Sequence, residues 1–272
     1  MKIFDFNIHL PSVHVSSVGE RVLSETHIDE GGLIMSYLDH KDTVCAYSDC
    51  INIMILKGDF SLSSRIFRDM YALAKKDFNE VSITALVDYK RNDVCEYIDM
   101  IASEGVKAIK FHSYIQGITE NDYPQISSVV EYAAARGLFV CVHTSYGTRH
   151  LYQYDNLRLA AFLAQQNEDV PIVLLHSGGS RVLEAMHLVV DSKNVFLETS
   201  FSLDYYRGSS LEDDYAFVYK KIGAERVIYG SDYPYVGNSL QYVVDYLGRH
   251  GFQDNEMRLI LYKNAERVLS GG

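Results

Sequence analysis

From Val81 onward the chain alternates short apolar runs with longer amphipathic stretches. The runs are SITALVD (82–88), VKAIKFH (106–112), LFVCVHT (138–144), PIVLLHS (171–177), NVFLETS (194–200) and RVIYGSD (226–232). Each is short and rich in β-branched or aromatic residues, which suits a strand covered on both faces. Between them NDVCEYIDMIASE, ISSVVEYAAAR and NLRLAAFLAQQ read as helices with one apolar side. Gly105, Gly137 and Gly223 stand where three helices must stop and re-enter a strand. A left-handed backbone is needed there, and glycine adopts it without steric cost. IFDFNIHL (3–10) and CINIMIL (50–56) bring the candidate strands to eight. Regular β–α alternation predicts a parallel sheet with helical crossovers. A chain of 272 residues then suits one α/β domain over 1–272, a single (β/α)8 TIM barrel, which needs ~250 residues. A doubly wound open sheet would need a glycine-rich phosphate turn after the first strand, and the sequence has none. Residues 10–48 should hold the first helix, but their pattern is blurred.

Composition and charge narrow the partners. Hydrophobic residues make up 47% and charged residues 22%, as in a well-packed globule. A net charge of −11 repels nucleic acid and anionic membranes, although a local cationic pocket can still take an anionic small molecule. Cys45, Cys50, Cys95 and Cys141 show no C-x-x-C spacing, and they read as free thiols of a reducing compartment. The N-terminus runs straight into a strand pattern without the apolar stretch of a signal peptide. No apolar run approaches the ~18 residues of a spanning helix. The expectation is a cytoplasmic protein with a small anionic substrate, no nucleic-acid or membrane partner, and a homodimer as a possible assembly.

Chemistry-bearing residues gather at the C-terminal ends of the candidate strands. Asp5, Asn7 and His9 end the first, Lys110 and His112 the fourth, His143 the fifth, His176 the sixth, Thr199 the seventh and Asp232 the eighth. Positions 112, 143, 176, 199 and 232 lie 31, 33, 23 and 33 residues apart, close to one βα unit each. Residues two apart share a strand face, so Asn7 with His9, and Lys110 with His112, can point into the barrel together. In such barrels that end carries the active site. An isolated strand-end histidine is more often a hydrogen-bonded structural residue, but four of them with a terminal aspartate at one mouth have no such explanation. His14, His27, His40, His150, His187 and His250 fall in loops or helices and read as surface residues. Tyr146, Tyr233 and Tyr235 stand where they could line a pocket, and Tyr146 is taken as substrate-binding. Cys141 reads as barrel filling.

These residues resemble a known family. FDFNIHL is similar to the D-x-H-x-H strand that opens the amidohydrolase superfamily. GVKAIKFH, FVCVHT, IVLLHSGG, NVFLETS, IYGSDYP and the closing KNAERVL resemble later elements of its amidohydrolase-related branch, which includes aminocarboxymuconate-semialdehyde decarboxylase and several lactone hydrolases. The resemblance implies a metal-dependent-hydrolase type of barrel. His9, His143 and Asp232 would ligate one divalent ion, with Asn7 at the place of the family's first histidine. His176 and Asp232 would handle protons, and Lys110 and His112 would bind substrate. Two imidazoles and a carboxylate suit Zn²⁺, with Mn²⁺ or Fe²⁺ as alternatives. An amide oxygen is a poor Zn²⁺ ligand, so Asn7 should weaken the site. The implied reaction is hydrolysis of a small carboxylated or cyclic amide, ester or lactone by a metal-activated water. Nonoxidative decarboxylation, metal-independent lactone hydrolysis and ligand binding without turnover are the alternatives.

Overall fold

In a computed structural model the strands form one parallel sheet in the order β1 to β8. The structure describes residues 1–9, 30–55, 65–145, 153–236 and 239–271. Along the chain come β1 (Phe4–Ile8), α1 (Glu30–Cys45), β2 (Cys50–Ile55), α2 (Arg65–Asp77), β3 (Glu80–Leu86), α3 (Val94–Ser103) and β4 (Ala108–Phe111). They are followed by the short α4 (Ser113–Gln116), α5 (Tyr123–Ala134), β5 (Phe139–His143), α6 (Asn156–Gln166), β6 (Ile172–Leu175), α7 (Val182–Asp191) and β7 (Val195–Glu198). The chain closes with α8 (Ser202–Tyr205), α9 (Leu211–Ile222), β8 (Val227–Ile228), α10 (Ser239–Arg249), α11 (Asp254–Arg258) and α12 (Asn264–Leu269). Backbone hydrogen bonds bring the last strand to the first: Phe6 N donates to Tyr229 O at 3.1 Å, Asp232 N to Asn7 O at 2.7 Å and His9 N to Tyr233 O at 2.8 Å. This is the nearly closed (β/α)8 barrel that the alternation predicts.

Two apolar regions hold it together. Phe4, Phe6, Cys50, Met54, Phe139 and Cys141 fill the interior, and Val268 and Leu269 of α12 pack with them. Ile51, Ile53, Ile83, Val140 and Leu174 instead pack outward against helix residues such as Met70, Ile98 and Val129. Gly105, Gly137 and Gly223 have φ of 89°, 74° and 89°, as their place after a helix requires. Among the described residues no helix is long and apolar enough to cross a membrane.

Two departures from the sequence pattern shape the mouth. Asp5 pairs with Ile51 and Ile8 with Ile53, so β1 carries one extra residue, a β-bulge. Phe6 faces the interior while Ile8 packs outward, so the alternation changes phase at Asn7. The period-2 rule that pairs Asn7 with His9 therefore does not run unbroken here. The sixth and eighth runs also leave the sheet early, at Leu175 and Ile228. His176 and Asp232 stand in the turns beyond, not on the strands. The blurred stretch 10–48 does hold the expected first helix, the 16-residue α1, in its described part.

Candidate active site

All four non-glycine residues with left-handed φ among those described lie at the ends of β6, β7 and β8: His176 at 69°, Ser177 at 51°, Phe201 at 58° and Asp232 at 60°. Such conformations cost of order 1–3 kcal/mol each and persist where surroundings enforce them. At β7 the turn is a γ-turn, with Phe201 at φ 58° and ψ −62° and Ser202 N donating to Ser200 O at 2.6 Å. It lays the Phe201 ring beside His176, 5.7 Å between centroids.

The mouth holds two linked pairs. His9 Nε2 lies 3.1 Å from Asp232 Oδ1, with the Tyr235 ring edge-on to His9 at 4.7 Å. His176 Nε2 lies 3.0 Å from His143 Nδ1. His112 stacks on His143, with centroids 3.7 Å apart and planes 15° from parallel. Tyr114, on the short α4, reaches His143 Nε2 at 2.6 Å. Sequence reading missed Tyr114, because nothing in SYIQ marks a four-residue helix folding back over the next strand's end. Burial depresses His9, lowers His112 and His143 well below the usual imidazole range, and takes His176 to about 4. These rings are neutral at pH 7. Burial works to raise the Asp232 carboxyl, but the hydrogen bond with His9 outweighs it, with the field of Lys110 acting the same way, and holds it below the usual carboxylate range.

Beneath the pairs lies a buried carboxylate, Glu198. Its Oε1 accepts from Ser200 N at 2.7 Å, and its Oε2 accepts from Ser200 Oγ at 2.8 Å, His176 N at 3.1 Å and Asn7 Nδ2 at 3.2 Å. Asn7 Nδ2 also donates to Ser200 Oγ at 2.9 Å. Burial lifts Glu198 to about 7, against these hydrogen bonds, which lower it. Gly230 makes room for the cluster. A Cβ there would collide with Glu198 Oε1 and lie 2.9 Å from Asn7 Cβ. Gly230→Ala is therefore expected to destabilise the fold by about 1–3 kcal/mol, read from urea denaturation midpoints.

Lys110 is 1% exposed, and burial pushes its ammonium down from the ordinary range. Among the described residues no carboxylate pairs with it within 4 Å. Neither Asp5 nor Glu198 takes that part, and Asp5 is held instead by Ser231 Oγ at 2.5 Å, Ser231 N at 2.9 Å and Asn7 N at 3.3 Å. Tyr146 lies outside the described residues, as do His14, His27 and His150. His40 is not a plain surface residue: it is half-buried, with Nδ1 3.1 Å from the Tyr233 hydroxyl. Cys141 is buried in the barrel, and burial raises its thiol out of the reactive range.

The donors do not fit a metal ion as the resemblance implies. Among the described residues no three His, Cys, Asp or Glu side chains are grouped to hold one. His143 commits Nε2 to Tyr114 and Nδ1 to His176, and His9 commits Nε2 to Asp232. Asn7 turns its amide nitrogen into the Glu198 cluster, and its buried Oδ1 has no hydrogen-bond partner among the described residues.

Comparison with known proteins agrees with the architecture. The family model described as Amidohydrolase matches residues 65–271. A search of the curated proteins returns no match. Among solved structures, an uncharacterised TIM-barrel protein from Bordetella bronchiseptica aligns with a TM-score of 0.72 at 16% identity, covering 100% of this chain and 99% of that one. A probable 2-pyrone-4,6-dicarboxylic acid hydrolase from Acinetobacter baumannii, with citric acid bound, gives 0.66 at 14% identity, covering 99% and 100%. A 4-oxalomesaconate hydratase from Rhodopseudomonas palustris gives 0.59 at 15%, covering 99% and 96%.

Proposed function

The chain belongs to the amidohydrolase family of enzymes, and on that premise we propose that it hydrolyses a small carboxylated substrate, a lactone before an open ester or amide. The observation that carries this reading is Asp232 hydrogen-bonded to His9, at a mouth that also holds a buried lysine with no carboxylate partner among the described residues. Asp232 accepts a proton from the attacking water, and His9 orients the carboxylate and shares the charge. Lys110, stripped of solvent, pairs with a substrate carboxylate, and His112 packs beside it on the same strand. The Tyr114 hydroxyl, held by His143 Nε2, is the donor that turns to the oxygen on which charge develops. The dicarboxylic acid hydrolase named above acts, by its name, on a cyclic ester bearing two carboxylates, which is the chemistry a buried lysine would select.

Enzymes of this superfamily are generally metal-dependent, and the resemblance implies one divalent ion, Zn²⁺ before Mn²⁺ or Fe²⁺. The commitments of His143, His9 and Asn7 favour the metal-independent form of the reaction, with Asp232 as the base. The test is turnover of a panel of carboxylated lactones, esters and amides by enzyme dialysed against chelator. Lactone opening that survives chelation supports the reading. Loss on chelation with recovery on adding Zn²⁺ would restore the metal mechanism, and release of CO₂ would make the enzyme a decarboxylase.

Lys110→Met is expected to raise KM for a carboxylated lactone by about tenfold or more, the equivalent of one charged contact. kcat should fall less, and the melting temperature should hold, because the substitution leaves no carboxylate unpaired among the described residues. A collapse of the melting temperature would make Lys110 structural.

A further inference from the structure

The histidine pair belongs to a longer chain of hydrogen bonds whose direction can be read. His176 Nδ1 lies 3.3 Å from the backbone carbonyl of Ser200, and a carbonyl only accepts. Nδ1 therefore carries the ring proton. The same N–H reaches Ser200 Oγ at 2.9 Å. In a neutral ring Nε2 is then bare, so it accepts from His143 Nδ1–H across 3.0 Å. That places a bare Nε2 on His143, which accepts the Tyr114 hydroxyl proton across 2.6 Å in preference to the Ser145 carbonyl, 3.4 Å from the same oxygen. At the other end Ser200 Oγ receives His176 and Asn7 Nδ2 and, with Glu198 ionised above about pH 7, donates to Glu198 Oε2. Every bond then points one way, from Tyr114 through His143, His176 and Ser200 to Glu198.

We propose that Glu198 and Ser200 are positioning residues, which set the ring tautomers of His176 and His143 and so turn the basic nitrogen of His143 toward Tyr114 and the mouth. The assignment exchanges the two histidines' expected parts. His176, 2% exposed and bonded at both nitrogens, is the inner link, and His143 with the half-buried Tyr114 is the outer end. It also accounts for Asn7. An amide donates two N–H bonds at once, one to Ser200 Oγ and one to Glu198, which a neutral histidine with a single ring N–H cannot do. The effect on catalysis rests on the hydrolase reading above. The tautomers themselves do not.

The test is ¹⁵N NMR of histidine-labelled protein, comparing wild type with Glu198→Gln, Ser200→Ala and Ser200→Thr, alongside steady-state kinetics on whichever lactone the wild type opens. Wild type should show both His176 and His143 protonated at Nδ1. Ser200→Ala and Glu198→Gln should shift one or both rings to a mixture of tautomers. Ser200→Thr, which keeps the hydroxyl, should restore the wild-type pattern. kcat should fall by about tenfold or more in the first two variants with KM within about twofold, since substrate contacts are intact. Unchanged tautomers in both Ser200→Ala and Glu198→Gln would overturn the proposal, as would altered tautomers with wild-type kcat. Should Glu198→Gln fail to fold, the Ser200→Ala and Ser200→Thr pair decides alone. If the wild type opens no lactone, ester or amide, the hydrolase reading fails, while the NMR comparison still decides the positioning role.

Discussion

Asp232→Asn is expected to lower kcat for lactone opening by about 10³-fold, within the usual range for removal of a general base, with little change in melting temperature. The asparagine keeps the size of the side chain and one oxygen for His9 Nε2, 3.1 Å from Oδ1 in the wild type. What it loses is the negative charge that the buried site keeps on Asp232. Steady-state rates and thermal unfolding on the same preparations separate the two effects. A variant with kcat within threefold of wild type would remove Asp232 from the chemistry. A variant that unfolds would show that the left-handed backbone at φ 60° needs the aspartate for stability.

Folding stability is expected to rise as pH increases from 5 to about 7 and then to level off. Burial raises Asp5 from 3.8 to about 7 and Glu198 from 4.5 to about 7. Between those values the folded protein holds two protons that the unfolded chain releases, so stability is lost as pH rises toward about 7 and beyond, until both carboxyls ionise. His9, His112, His143 and His176 are lowered from 6.5, His176 to about 4. Below pH 6.5 the unfolded chain takes up protons there that the folded protein refuses, so stability falls as the medium is acidified. Four histidines outweigh two carboxyls between pH 5 and 7, and above about pH 7 both sets have titrated in both states, so the curve flattens. Each can contribute a few kcal/mol, enough to move the melting temperature by roughly 5 °C or more. Scanning calorimetry from pH 5 to 8.5 checks the shape. Asp5→Asn, a neutral replacement where the buried carboxyl is costly to ionise, should steepen the rise between pH 5 and 7, because one opposing proton is gone. An unchanged slope over that range in the variant would take the raised Asp5 out of the explanation.

Much of this molecule could be read along the chain, because the properties that decide a βα unit are local. Apolar runs of strand length, amphipathic stretches between them and Gly105, Gly137 and Gly223 specify the alternation, and alternation with right-handed crossovers leads to the barrel. Lys110, His112 and His143 lie on an unbroken period of two in β4 and β5, so their inward direction followed from sequence alone. The tertiary structure decided whatever depends on contacts between distant positions. The extra residue in β1 shifts the phase at Asn7 through pairing with β2, and no local pattern marks it. His176 and Asp232 owe their aim to left-handed turns imposed where the chain leaves the barrel rim. The partners of Asn7 are 191 and 193 residues away, and that of His9 is 223 away. Closing the barrel sets those distances, and they determine which nitrogen meets which oxygen. The strand ends announced a site rich in histidine, lysine and aspartate. Whether those groups bind a metal or one another depends on ångström-scale approach between strands, which the folded barrel alone supplies.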